Sequence, residues 1–386
     1  MKFNLSYCLK DATGKITGEG EANCDLNQDA LSILPKFGEV LYFSLRDVLK
    51  ASQTNYKITL DLSSRETLII SNLGYHFEDF LHQLLKARNI QVLEDELIKE
   101  KPKKSFSDLE FSYVDKKNAF KGEGELKIYT DKLVVIPKNQ EPIKIFLNTV
   151  KNIDDQDFSL TITLNDETTL KLLKLGEQYD YLVKLFSEIM NKLSLNIQQT
   201  LQELLPTVDP LSIRKVSRLL KEGRAAQKSA IAKISPQIWQ ELEKKLAQLE
   251  IKPEYDFLTN LAKTNKEAVS IGLKKEGGTE LIWFLIPIGK VIALESTTNE
   301  GSGKATYFFK LTENIDQVLI EINDAMVQTN FKREPIYLSD EKLAGTEYQF
   351  ALQKIPVLKK LRALFIGRVI HNSPEQWQKD VLKIIN

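Results

Sequence analysis

Alternating or short apolar runs fall at residues 2–9, 17–26, 30–35, 39–45, 48–51, 56–62 and 66–71. Gly, Asn, Asp and Ser separate them, so the pattern predicts seven short strands joined by turns. At 75–89 the period changes. Phe77, Phe80, Leu81, Leu84 and Leu85 recur at i, i+3, i+4, i+7 and i+8, the stripe of an amphipathic helix.

The same pattern then returns. Residues 29–89 align with 131–191 at a constant offset of 102, with 14 of 61 positions identical. Asp29-Ala30-Leu31-Ser32-Ile33-Leu34-Pro35-Lys36 falls on Asp131-Lys132-Leu133-Val134-Val135-Ile136-Pro137-Lys138, and Leu73-Gly74 on Leu175-Gly176. Upstream, Gly18-Glu19-Gly20-Glu21 matches Gly122-Glu123-Gly124-Glu125, and Leu5-Ser6-Tyr7 matches Phe111-Ser112-Tyr113. The offset moves from 106 to 104 to 102 along the copies, so the length changes fall in turns, where a duplicated fold tolerates them. Tyr179, Leu182, Val183, Phe186 and Met190 repeat the helical stripe. A helix with so wide an apolar face must lie on the sheet that precedes it. Seven antiparallel strands curled into two near-orthogonal sheets, plugged at one end by a C-terminal helix, meet that demand.

Strand count, order and terminal helix resemble the pleckstrin-homology-like fold, present twice in tandem over residues 2–90 and 106–193. The resemblance implies a binding module, since that family serves mainly to recognise phosphoinositides, peptides or protein surfaces. Tandem copies also occur in histone-chaperone subunits, a subgroup to which no residue here points.

Beyond the repeats, residues 194–264 lose the strand pattern. Asp209-Pro210 and Ser235-Pro236 place a capping acceptor before a proline, and Gly223 sits where a helix stops. Short helices are expected at about 196–205, 210–222, 225–234, 236–249 and 254–263, with Trp239, Leu242, Leu246 and Leu249 facing a core. Strands return at 268–275, 281–287, 291–296 and 304–311, with a turn at Glu276-Gly277-Gly278-Thr279. A helix over 313–329 follows, whose apolar positions can be laid on the second copy at an offset of 136. This C-terminal α+β portion reads either as the end of a degenerate third copy or as a unit of its own. Further helices are expected at 346–354, 356–370 and 374–385, the last opened by Ser373-Pro374. The fold class is therefore α+β. Its expected domains are repeat 1 at 1–92, repeat 2 at 105–194, a helical segment with a basic face at 195–264 and an α+β domain at 265–386.

Composition narrows the function. The 386 residues carry 53 Lys+Arg against 53 Asp+Glu, so nucleic-acid binding by the whole surface is not expected. Two cysteines cannot make a disulfide framework, and three histidines leave little for metal chemistry. No apolar run approaches the ~20 residues that span a bilayer. The segment MKFNLSYCLKDATGK lacks the apolar core of a signal peptide, and a cytoplasmic location is expected.

Candidate chemistry is sparse. The two Gly-Glu-Gly-Glu segments have no following helix and no Lys-Ser/Thr pair, and their carboxylates repel anions, so they read as glycines on bent strands. His76 and His82, six apart, do not share a helical face; His371 stands alone in a turn. Neither Cys8 nor Cys24 has a basic neighbour to activate it. Acidic pairs such as Asp154-Asp155 read as solvated loop residues. No Walker, Rossmann, Gly-x-Ser-x-Gly or His-Glu-x-x-His pattern occurs. No enzyme activity, cofactor or metal is therefore expected.

The strongest charged feature is the run Arg214, Lys215, Arg218, Lys221, Arg224, Lys228 and Lys233, seven cations against one acid, Glu222. On a helix, Arg214, Lys215, Arg218 and Lys221 form one arc, with Ile213, Val216, Leu219 and Leu220 opposite. Such a face suits anionic lipid or nucleic acid, each cation adding about 1 kcal/mol near an anionic membrane. The helices over 210–249 also outline a helix-turn-helix, but Glu241 and Glu243 on its third helix make a poor groove reader. In repeat 2, Lys116, Lys117 and Lys121 stand where the family binds headgroups; repeat 1 has only Lys10 and Lys15, and Glu123 and Glu125 offset the charge. The leading expectation is a cytoplasmic interaction protein that binds a protein partner through its repeats. The alternative is peripheral attachment to anionic membrane or nucleic acid through the 212–233 segment.

Overall fold

The computed structural model describes residues 2–385 apart from 99, 117, 277–278, 299–303, 313, 330 and 347. The turn expected at Gly277-Gly278 and the headgroup candidate Lys117 lie outside the described residues. The chain divides into two compact units. One comprises Met1–Phe186 with Glu347–Lys354, the other Ser187–Thr346 with Ile355–Asn386.

In the first unit, β1 (Lys2–Lys10), β2 (Ile16–Leu26), β3 (Ala30–Pro35), β4 (Leu41–Ser44), β5 (Val48–Thr54), β6 (Lys57–Leu62) and β7 (Thr67–Ser71) precede helix α1 (Phe77–Asp95). Their order in the sheet is β4-β3-β2-β1-β7-β6-β5, every pair antiparallel. The last strand returns to the first, and α1 closes the end: Phe77, Phe80, Leu81, Leu84 and Leu85 share one core with Leu31, Ile33, Ile58, Leu60, Leu68 and Ile70.

Repeat 2 reproduces this arrangement. It comprises β8 (Lys104–Val114), β9 (Ala119–Ile128), β10 (Lys132–Pro137), β11 (Ile143–Phe146), β12 (Val150–Gln156), β13 (Ser159–Leu164) and β14 (Thr169–Leu173), then α2 (Tyr179–Leu204). The order is β11-β10-β9-β8-β14-β13-β12. Core residues coincide at the 102 offset: Leu31 with Leu133, Ile58 with Leu160, Leu68 with Leu170 and Leu84 with Phe186 are buried in both copies. Even an uncommon turn recurs. Asn55-Tyr56 and Asp157-Phe158 both hold positive φ, near +51 to +57°, the primed geometry that suits a two-residue hairpin. Each exposed aromatic there meets the first ring of the terminal helix, Tyr56 on Phe77 at 5.4 Å and Phe158 on Tyr179 at 5.7 Å. The two copies are tandem repeats of one arrangement, seven antiparallel strands closed by a helix, as the resemblance to the pleckstrin-homology-like fold implies.

The Gly-Glu-Gly-Glu segments lie within β2 and β9. Tyr7 pairs across from Gly20 and Phe111 from Gly122, and a Cβ on Gly124 would stand 2.4 Å from the Ile136 carbonyl oxygen. Close backbone approach explains that glycine, as expected for a bent strand. Asp154-Asp155, read as a loop, instead lies on β12, an exposed edge strand.

The second unit contains α3 (Pro210–Ser217), β15 (Ala226–Gln227), α4 (Lys228–Ile234), α5 (Pro236–Gln248), α6 (Lys252–Leu261), β16 (Ser270–Glu276), β17 (Thr279–Ile288), β18 (Val291–Thr298) and β19 (Ala305–Lys310). Next come α7 (Ile315–Gln328), α8 (Glu334–Tyr337), α9 (Asp340–Leu343), α10 (Tyr348–Lys354), α11 (Pro356–Leu364), β20 (Phe365–Ile370) and α12 (Pro374–Ile385). Of these, α10 belongs to the first unit. The sheet is a six-stranded meander in chain order, β15 to β20, without the return of a last strand to the first. The C-terminal portion is thus a unit of its own order rather than a third copy. Helical residues Leu201, Val216, Ile231, Trp239, Leu242 and Tyr255 share one core with Ile271, Ile282, Phe284, Phe308 and Trp377.

Three expectations are corrected here. The helix expected at 196–205 is the end of α2, which runs unbroken from Tyr179. The helix expected over 210–222 stops at Ser217 and gives way to a short 3-10 turn at Lys221–Gly223. Residues 365–370 are a strand rather than the end of a helix, because pairing with β19 overrides the local period. Asp209 caps α3 as expected, accepting from the Ser212 amide at 2.8 Å, whereas the Ser235 side chain makes no such bond to α5.

Candidate functional site

The shortened α3 disperses the basic run. Arg214, Lys215, Arg218 and Lys233 are exposed and form no ion pair among the described residues. Arg224 is drawn to Asp324 at 2.8 Å and Lys228 to Glu267 at 3.3 Å. Lys221 is half-buried, and burial, with Arg218 and Arg224 nearby, pushes its ammonium below the usual lysine range. The seven cations do not form the continuous face of one helix. On α5, Lys244 pairs with Glu241 at 2.6 Å and Lys245 with Glu280 at 2.7 Å, so the third helix of the helix-turn-helix outline is already engaged.

The other sequence candidates stay apart. Cys8 pairs across from Glu19 and Cys24 from Phe3, at different heights on the hairpin. Burial pushes the Cys24 thiol up to about 11. His76 ends the 3-10 turn before α1 and His82 lies within the helix, and Lys10, Lys15, Lys116 and Lys121 flank the two first hairpins.

His371 departs from the sequence reading. Its Nδ1 lies 3.2 Å from Glu254 on α6 and its Nε2 2.9 Å from Glu295 on β18, a fully buried carboxylate. The Thr306 hydroxyl donates to Glu295 Oε2 at 2.7 Å and accepts from the Trp377 indole at 2.9 Å. Burial alone would push the imidazole down, but the two carboxylates outweigh it and hold it up at about 9. Glu254 sits below the usual range: desolvation pushes it up, but the hydrogen bond and charge of His371, a backbone hydrogen bond and the Lys304 charge together outweigh that. While the ring is protonated, below about pH 9, both nitrogens carry hydrogen and neither offers a lone pair. The cluster ties α6, β18, β19 and the start of α12 together. Glu254 and Glu295 lie 117 and 76 residues from His371, beyond any local motif.

The feature that separates the two repeats is the outward face of one hairpin. Along β10, Lys132-Leu133-Val134-Val135 are all buried, whereas β3 alternates from Leu31 onward, Leu31-Ser32-Ile33-Leu34, and leaves Leu34 exposed. A strand buried on both sides reads as a continuous apolar run, one buried on a single side as an alternation. What covers β10 is the second half of α1. Leu93, with Ile98 just beyond the helix, packs on Tyr129, Val134 and Ile136. Arg88, itself 1% exposed, donates to the Val48 and Leu49 carbonyls at 3.2 and 2.8 Å and to Glu141 at 3.0 Å. The Asn89 amide donates to the Gln140 carbonyl at 2.9 Å, and Lys144 pairs with Glu96. These buried polar residues explain why α1 runs to Asp95, past the apolar stripe that ends at Leu85.

In repeat 1 the corresponding face is open. Ser32 pairs across from Tyr42, as Val134 does from Lys144, so Ser32, Leu34 and Tyr42 look outward together. Leu34 is 38% exposed, Tyr42 67%, Val40 59% and Phe37 90%. Four large apolar side chains on one hairpin are more than the scattered singles of an ordinary surface. Sequence reasoning aligned these strands but did not compare their outward residues; the difference between β3 and β10 was the available signal.

Known proteins add little to this geometry. No family model matches the chain, and no curated protein matches it in sequence. A solved structure described as the Spt16D Pob3N heterodimer aligns with 45% of this chain and 95% of its own, at 9% identity and a TM-score of 0.18. Among the described residues, no helix is long and apolar enough to cross a membrane.

Proposed function

We propose that the chain is a non-enzymatic interaction protein whose first repeat receives a protein partner on the outward face of β3 and β4. One observation carries the reading: the same hairpin face, present twice, is covered in repeat 2 and bare and apolar in repeat 1. Burying a Leu, Val, Phe or Tyr side chain contributes roughly 1.5–3 kcal/mol at full burial, so four partly exposed ones suffice to anchor a complex. A photoreactive phenylalanine analogue in place of Tyr42 tests this in the native cell. The expected result is one discrete cross-linked protein, absent when Leu34→Asp is added and absent when the probe replaces the exposed Tyr75 instead. Equal labelling from both places, or none from 42, removes the reading.

A further inference from the structure

Repeat 2 carries a template for what its counterpart accepts. The occupant of its hairpin face is an α-helix that supplies a cation at Arg88 and an apolar residue at Leu93, with an acid at Glu96, the residue that caps its end. At about 100° per residue, Leu93 lies roughly 140° and Glu96 roughly 80° round from Arg88, so the three contacts spread over a broad arc rather than a narrow stripe. Each contact on repeat 2 can be moved back by 102 residues. Glu141, which takes the arginine, becomes Glu39, an exposed carboxylate with no ion pair among the described residues. Val134 and Ile136, which take Leu93, become Ser32 and Leu34. Lys144, which takes the acid, becomes Tyr42. Asn139 and Pro142 of the turn become Phe37 and Val40.

Repeat 1 therefore keeps the carboxylate, loses the cation and gains aromatic and aliphatic surface. We infer that its ligand is an amphipathic helix of another protein, with an arginine or lysine aimed at Glu39 and apolar residues laid on Leu34, Val40 and Tyr42. The inference rests on the interaction reading above and specifies the partner's chemistry. At the place equivalent to Glu96, this helix is not selected for an acid, because Tyr42 brings a neutral phenol where repeat 2 has the Lys144 cation. Neither α1 nor α2 of a second copy fits. Its α1 already lies on its own repeat 2, and α2 bears Met190 where α1 bears Arg88. The edge of β4 also offers free backbone groups to an added strand. Yet β11 is an edge strand of the same length, and there the outward face, rather than the edge, is occupied.

The test uses the full-length protein and two displayed peptide libraries. One is of 20-residue helices with an apolar residue fixed at the Leu93 place and the Arg88 and Glu96 places varied; the other is of extended peptides. The expected winners are helices with Arg or Lys at the first varied place and no selection for Asp or Glu at the second. Glu39→Lys should weaken a winner by about tenfold or more, and an Arg→Glu change in the peptide should restore binding to that variant. Glu39 is exposed, so the variant folds normally. Winners that depend on Leu34 and Tyr42 but show no cation, or bind Glu39→Lys equally, overturn this inference and leave the interaction reading standing. Winners drawn from the extended library do the same. If no peptide of either kind is sensitive to Leu34→Asp, both fall.

Discussion

Glu39 and Glu141 stand at the same position of the same turn, 102 residues apart, and only Glu141 holds an arginine. The contrast places Arg88 at the junction of the two repeats. Its guanidinium satisfies two backbone carbonyls of repeat 1 and one carboxylate of repeat 2. Arg88→Met should destabilise the first unit by roughly 1–3 kcal/mol, since the part-buried Leu49 carbonyl loses its donor while the Val48 carbonyl keeps Lys354 at 2.7 Å. Glu141→Gln should cost under about 1 kcal/mol, because that side chain is 51% exposed and its pairing is screened. Urea denaturation of both variants checks the ratio. Equal losses would mean that the carboxylate, not the carbonyls, needs the arginine.

His371 makes the second unit sensitive to alkali. Its folded pKa of about 9 lies above the ordinary 6.5, so the stabilisation is full below about 6.5 and lost as pH rises through 9. The groups facing the imidazole are Glu254, Glu295 and Thr306, with Lys304 adding positive charge beside Glu254. The loss should be at most about 3 kcal/mol at 1.36 kcal/mol per pKa unit. Thermal melting from pH 6.5 to 9.5 should show the midpoint falling for the native protein, and a flatter profile for His371→Gln. Parallel curves for the two would assign the pH dependence to other groups.

Gly272 has no room for a side chain. A Cβ there would stand 2.1 Å from the Trp283 indole nitrogen and 2.6 Å from the Gly223 carbonyl oxygen, the two atoms that bond each other at 2.7 Å. Gly272→Ala should therefore cost about 3 kcal/mol or more, because backbone and a fully buried ring must both shift. Trp283→Phe, which strands the carbonyl and shrinks the ring, should cost about 1–3 kcal/mol for the lost bond, plus the cavity. Chemical denaturation measures both. An alanine variant as stable as the native protein would contradict the geometry.

The basic segment yields a prediction against the alternative function. With Arg224 and Lys228 held by carboxylates, the protein should not co-sediment with phosphatidylserine vesicles or duplex DNA at physiological salt. Binding that is retained there, and abolished by Arg214→Glu with Arg218→Glu, would restore membrane or nucleic-acid attachment as the main role. Both positions are exposed, so the double variant should change stability by less than about 1 kcal/mol.

Both seven-strand repeats were legible because local signals and the tertiary outcome agree. Turn residues bracket each strand, and Phe80, Leu81, Leu84 and Leu85 sit on a helical stripe that the sheet buries. Where the expectations missed, distant partners decide the structure. Phe365–Ile370 continues a helical pattern in sequence and becomes a strand because β19 offers an edge. Arg88 and Asn89 look like the polar end of a helix until Glu141 and Gln140 are placed against them. His371 looks isolated because its two carboxylates come from other elements. The open hairpin was present in the sequence as a serine at 32 where the second repeat has a valine at 134, but only the covering helix gives that difference meaning.

Because α1 plugs its own barrel with one half and roofs its neighbour with the other, the seam between the repeats is not a place where the chain can be cut cleanly. A fragment ending near residue 90 would lose Leu93, Glu96 and Ile98 and leave the Arg88 guanidinium without its acid. A fragment starting near residue 104 would present Val134 and Ile136 bare to water and turn sticky. Either piece studied in isolation would show surfaces that the intact molecule never displays, and ligands found for them would be artefacts of the scissors.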